Sequence, residues 1–77
     1  MGNKLYVGNL PYSVRDGDLE QSFSQFGAVT SAKVMMERDT GRSKGFGFVE
    51  MGSDAEAQAA IAGMNGKDLG GRSCVVN

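Results

Sequence analysis

Residues 44–51 of this 77-residue chain read Lys44-Gly45-Phe46-Gly47-Phe48-Val49-Glu50-Met51. Extended as a β-strand, they put Lys44, Phe46, Phe48 and Glu50 on one face and Gly45, Gly47, Val49 and Met51 on the other. Two aromatic rings and a cation then stand on the same side. Glycines make a strand costly to order and give little side chain to bury, so a core role alone does not account for that row. Planar rings beside positive charge suit nucleobases, which stack on aromatic faces whatever their identity while phosphates lie near the cation.

The segments around this stretch alternate between strand and helix patterns. Lys4 to Leu10 reads as a first strand, with Leu5 and Val7 on one face and Lys4, Tyr6 and Gly8 on the other, and Pro11 stops it. Ser13 as N-cap with Asp16 three residues on opens a helix whose Leu19, Phe23 and Phe26 fall at helical spacing, a core stripe, and which ends at Gly27. Gly17 in its first turn costs up to about 1 kcal/mol against Ala. Val29 to Glu37 reads as a second strand, with Ala32, Val34 and Met36 inward and Lys33, Met35 and Glu37 outward. A polar loop, Arg38 to Ser43, turns at Thr40-Gly41 and carries Arg38 and Arg42 into the aromatic strand.

Downstream, Ser53-Asp54-Ala55-Glu56 is a capping box that opens a second helix with Ala57, Ala60, Ile61 and Met64 on one face, ending at Asn65-Gly66. Lys67 to Gly71 is a turn-rich connection. Arg72 to Asn77 is a last strand, with Cys74 and Val76 inward and Val75 and Asn77 outward. The order is βαββαβ. The fold class that follows is α+β, a ferredoxin-like sandwich in which two helices cover one face of a four-stranded antiparallel sheet and leave the other open. Tyr6, Phe46 and Phe48 all point to that open face when their strands are neighbours. A solvent-facing sheet surface is ordinarily polar, so burial is not the reason for these rings.

Seventy-seven residues make one small domain, residues 1–77, with a modest core. A hydrophobic share of 40% and a charged share of 22% are ordinary for a soluble globular chain, and no apolar run approaches the roughly 20 residues of a membrane helix. The first residues lack the apolar stretch of a secretory signal, which points to the cytoplasm. The single Cys74 and the absence of His leave no disulfide, no zinc set and no nucleophile–base pair, so neither a metal, a cofactor nor catalysis is expected. The net charge of −1 and pI of 5.2 lack the overall basic excess of a nucleic-acid binder, so any such binding needs local clustering of charge.

The stretch 44–51 resembles the octamer of the RNA recognition motif family: a basic residue, Gly, an aromatic, Gly or Ala, an aromatic, an aliphatic, any residue, then an aromatic. Seven of the eight positions match; Met51 stands where the family carries Phe or Tyr, and by parity it points away from the rings. About forty residues upstream, Leu5-Tyr6-Val7-Gly8-Asn9-Leu10 is similar to the family's hexamer, with its aromatic at Tyr6. The resemblance spans essentially the whole chain and is nearest in kind to small single-domain bacterial or glycine-rich members.

It implies single-stranded RNA as partner, held on a core of two to three nucleotides, with single-stranded DNA chemically close. Tyr6 and Phe48 would each stack under a base, Phe46 would insert near the sugars between them, and Lys44 would meet a phosphate. Lys4, Lys33, Met35, Arg38 and Arg42 follow by strand parity or by their place in the loop, and Asn77 would read a base with its amide or backbone. Such a domain acts as a monomer in post-transcriptional regulation or RNA chaperoning. The rival is a protein-interaction module, since some domains of this family turn the sheet or the helices toward peptides.

Overall fold

A computed structural model describes residues 2–77, so Met1 of the expected unit lies outside the described residues. The elements are β1 (Lys4–Gly8), α1 (Asp16–Phe23) with a 3-10 turn over Ser24–Phe26, β2 (Val29–Met36), β3 (Ser43–Met51), α2 (Asp54–Met64), β4 (Asp68–Leu69), β5 (Arg72–Ser73) and β6 (Val75–Val76). Strands β2, β3, β1 and β6 form the main sheet in that order, all antiparallel. The expected architecture of two helices and a four-stranded antiparallel sheet is therefore present.

The inward residues of β1 and β3 build the sheet side of the core: Leu5, Val7, Val49 and Met51 are all essentially fully buried. Leu19 and Phe23 of α1 and Ala57, Ala60 and Met64 of α2 close over them. Each fully buried Leu, Val, Phe or Met contributes roughly 1.5–3 kcal/mol. Phe26 packs at the margin of this cluster. Met51 is among its largest wholly buried side chains, as its parity predicts. Cys74 is also interior; its Sγ donates to the Met64 carbonyl at 3.1 Å, and burial pushes the thiol pKa up.

Three boundaries differ from the sequence reading. Helix α1 starts at Asp16 and not behind Ser13: Val14 N–H donates to the Pro11 carbonyl in a preceding turn, and the Asp18 carboxylate accepts the Arg15 N–H at 2.9 Å. Strand β1 ends at Gly8, because Asn9 takes a positive φ of 57° and turns its side chain to the Ser73 carbonyl, 2.8 Å away. The last strand is split. Arg72–Ser73 pairs with Asp68–Leu69 in a separate ribbon, whose turn residues Gly70 and Gly71 both have positive φ, as a two-residue hairpin requires. Only Val75 and Val76 join the main sheet as β6.

Met36 is a fourth correction. It is 36% exposed where alternation puts it inward. It lies beside Arg15, Asp16 and Gly17 at the N-terminal end of α1, where the helix stops short of covering it.

The carboxylates of the helices serve as backbone acceptors. Asp16 Oδ1 accepts the Val34 N–H at 2.7 Å and docks the first turn of α1 on β2. Glu56 accepts the Ala28 N–H at 2.7 Å and the Ser53 hydroxyl at 2.9 Å, while its own N–H donates to Ser53 Oγ at 3.2 Å. The predicted capping box thus also ties α2 to the approach of β2. The Ala28 bond, then the Ser53 bond, hold the Glu56 carboxyl below its ordinary pKa of 4.5. A depressed carboxylate pKa adds stability above the unfolded-state value, and that stability disappears as pH falls through the folded-state value. Glu56→Gln is therefore expected to lower the urea midpoint at pH 7, with the gap to the parent closing below about pH 4. Equal gaps at pH 7 and pH 3 would show that the charge contributes nothing.

Candidate nucleic-acid interface

The register of the main sheet assembles the site. Lys33 of β2 pairs with Phe48 of β3, and Phe48 pairs with Tyr6 of β1. Tyr6 in turn exchanges both backbone hydrogen bonds with Asn77: its N–H donates to the Asn77 carbonyl at 2.8 Å, and the Asn77 N–H donates back at 3.1 Å. Directly paired residues share a face, so Lys33, Phe48, Tyr6 and Asn77 form one row across the open side of the sheet. The helices occupy the opposite side.

The rings of Tyr6, Phe46 and Phe48 form a triangle. Their centroids are 5.8 Å apart for Tyr6–Phe46, 6.0 Å for Tyr6–Phe48 and 6.1 Å for Phe46–Phe48. Interplanar angles of 32°, 66° and 88° make these tilted and edge-on contacts rather than stacks, so the rings support one another without covering one another's faces. Phe48 is 47% and Tyr6 39% exposed, whereas Phe46 is half-buried between them. Gly8 explains how Tyr6 lies: a Cβ there would sit 2.6 Å from the Tyr6 hydroxyl oxygen, so the ring rests across the glycine backbone. Gly47 serves the layer beneath. Its Cβ would overlap the Lys33 carbonyl oxygen, so only glycine lets β2 approach β3 this closely.

Around the rings, the structure gathers some of the expected residues and separates others. Lys4, Lys33 and Met35 line one shallow depression together with Phe48, Ser31 and Glu50. Glu50 pairs with both Lys4 and Ser31, so an acid stands among these cations. Lys44 and Arg42 lie elsewhere, in a second depression with Tyr12, Arg15, Glu37, Gly41 and Ser43. Between Lys44 and Phe46 the strand is irregular. Val34 pairs with Gly47 but Met36 with Ser43, so β3 carries two more residues than β2 across that interval. Gly45 sits there at φ 84°, with its N–H donating to Ser43 Oγ at 3.0 Å, which is a bulge. The simple alternation from Lys44 to Phe46 is interrupted. Arg38 is exposed in the β2–β3 loop.

Sequence reasoning missed Tyr12, which is 66% exposed, and Asn9, whose amide accepts from Arg72 Nη2 at 3.1 Å while bracing the hairpin. The signal for Tyr12 was its place directly after the strand-ending Pro11, a loop aromatic with no helical or strand stripe to bury it.

Comparison with known proteins places this geometry. The family model described as RNA recognition motif matches residues 5–75. The chain is 53% identical over 74 residues to the 31 kDa chloroplastic ribonucleoprotein of Nicotiana sylvestris, covering 96% of this chain and 24% of that protein. It is 47% identical over 77 residues to the mitochondrial glycine-rich RNA-binding protein 2 of Arabidopsis thaliana, covering 100% of this chain and 49% of that one. The chain thus spans half or less of these relatives' lengths. The crystal structure of RNA binding protein PG1 superposes with a TM-score of 0.93 at 49% identity, covering 96% of this chain and 89% of the other. The chain belongs to the RNA recognition motif family.

Proposed function

We propose that residues 1–77 act as one unit, a monomer that binds single-stranded RNA on the open sheet face and catalyses no reaction. The observation that carries this is the row Lys33–Phe48–Tyr6–Asn77, with Phe46 beside it. One base stacks on Tyr6 and one on Phe48, Phe46 lies near the sugars between them, and Asn77 faces a base edge beside Tyr6. Lys4, Lys33 and Lys44 supply phosphate partners on β1, β2 and β3, with Arg38 and Arg42 at the loop, while Met35 pads the flank of Phe48. Relatives named as ribonucleoproteins and RNA-binding proteins support the reading. Single-stranded DNA fits the same rings, and RNA preference requires contacts to the 2′-hydroxyl.

The biological role we infer is post-transcriptional regulation of RNA or RNA chaperoning. No helix among the described residues is long and apolar enough to cross a membrane. The cytoplasm stays our proposed compartment, against relatives named chloroplastic and mitochondrial, and fractionation of the native cells decides it.

Phe48→Ala is expected to weaken binding of a short single-stranded RNA by about 1 to 3 kcal/mol, the usual loss for one stacked base. The fold is expected to remain, since the ring is half exposed. Calorimetric titration with a melting curve checks both; unchanged affinity, or an unfolded variant, would contradict the assignment. An absence of binding to any oligonucleotide would instead favour a protein partner.

The salt dependence follows from where the charges lie. Two or three phosphates neutralised on a single strand give a slope of log K against log salt of roughly −1.5 to −2. Titration of a short single-stranded RNA of about ten nucleotides, long enough to offer more phosphates than the site is expected to neutralise, at several potassium chloride concentrations measures it. A slope steeper than about −4 would mean that phosphate contacts, and not stacking, dominate.

A further inference from the structure

The depression lined by Tyr12, Arg15, Arg42 and Lys44 is absent from the aromatic row yet touches the same strand. It has a volume of about 770 Å³, within the range of clefts that hold a small ligand. Three cations and one carboxylate, Glu37, line it. Glu37 Oε1 accepts the Thr40 hydroxyl at 3.3 Å, so the acid is engaged within its own loop.

The walls are held in place. The Arg42 carbonyl accepts the Glu37 N–H at 2.7 Å, and the Glu37 carbonyl accepts the Gly41 N–H at 2.8 Å, which closes the loop that presents Arg42. On the other side, Leu10 N–H donates to the Gly45 carbonyl at 2.8 Å and fixes the end of β1 against the bulge. A Cβ on Gly45 would stand 3.5 Å from Tyr12 Cε1, so the edge of the tyrosine ring lies along that glycine. Tyr12 is the most exposed large apolar side chain among the described residues, at 66%. Gly45 directly precedes Phe46, so this ring begins one residue beyond the triangle.

An exposed ring flanked by Arg15, Arg42 and Lys44 has the chemistry of a nucleotide site: a π-face for a base and guanidinium groups for a phosphate. We propose that Tyr12 is a further base-stacking position, which takes a nucleotide flanking the sheet-bound core, with Arg42 and Arg15 on its phosphate. The inference rests on RNA binding at the open face. It makes the footprint longer than the core, and longer in one direction only, because the depression lies at the end of the sheet where β1 stops and β3 starts.

The test is a set of single-stranded oligouridines: a trinucleotide, then the same core extended by one and by two residues at its 5′ end or its 3′ end. Parent, Tyr12→Ala and Tyr12→Phe are titrated with each. The parent is expected to gain about tenfold in affinity on extension at one end and little at the other, the size of one stacked base. Tyr12→Ala keeps trinucleotide affinity but loses that gain; Tyr12→Phe retains it. Equal gains in parent and Tyr12→Ala, or gains at both ends alike, would overturn the extension and leave the sheet site standing. A parent that binds none of these oligonucleotides would overturn the sheet reading, and this inference with it. Tyr12 is exposed, so the alanine variant is expected to fold, and its amide spectrum verifies that.

Discussion

The antiparallel register of β1 against β3 is the constraint on which the rest of the molecule depends. Tyr6 opposite Phe48, and Leu5 opposite Val49, divide the two central strands into a ring face and a core face. A slip of one residue would send Phe48 and Tyr6 under the helices and bring Val49 and Met51 into water. Burial of Leu5, Val7, Val49 and Met51 opposes that slip, since each contributes stability only in the observed register. The core thus holds the rings at the surface. A platform of half-exposed aromatics is unfavourable in water, and it persists because the opposite face of the same strands is so well covered.

Charge is organised by the same division. A net charge of −1 argues against nucleic-acid binding when spread evenly over the chain, but the carboxylates are not spread evenly in their duties. Asp16, Asp18 and Glu56 accept backbone N–H groups at or near the starts of the two helices, where negative charge is favoured. Lys4, Lys33, Lys44, Arg38 and Arg42 are all exposed on β1, β2, β3 or the β2–β3 loop. Glu50 shares the depression of Lys4 and Lys33, and Glu37 that of Arg42 and Lys44. The bulk charge therefore says little about the field an incoming strand would meet.

Much of this was legible from the residues. Period-two alternation in Lys4–Gly8 and Phe46–Met51, helical stripes at Leu19–Phe23 and Ala57–Met64, and the Ser53–Glu56 box gave element types, order and facing. What failed did so where local backbone conformation departs from its regular type. The bulge at Gly45 breaks the parity between Lys44 and Phe46, and glycine in a strand signals such a bulge without saying which neighbour it redirects. Lys67 to Gly71 reads as a turn and Arg72 to Asn77 as one strand, but the two positive φ angles at Gly70 and Gly71 fold Arg72–Ser73 back onto Asp68–Leu69 and leave Val75–Val76 to the main sheet. Met36 obeys parity but lies beyond the end of its covering helix, a fact of tertiary placement that no strand pattern contains. Tyr12 had no pattern to belong to at all.

Bases lying on Tyr6 and Phe48 are what distinguish a stacking platform from any other use of this sheet. The direct measurement is nuclear Overhauser contacts between base protons of an isotope-labelled single-stranded trinucleotide RNA and the side chains of the protein. Contacts to the ring protons of Tyr6 and Phe48, accompanied by amide shifts at Lys33 and Asn77, are the predicted result. Contacts confined to the outer surfaces of α1 and α2, with the ring protons of Tyr6 and Phe48 unmoved, would contradict it.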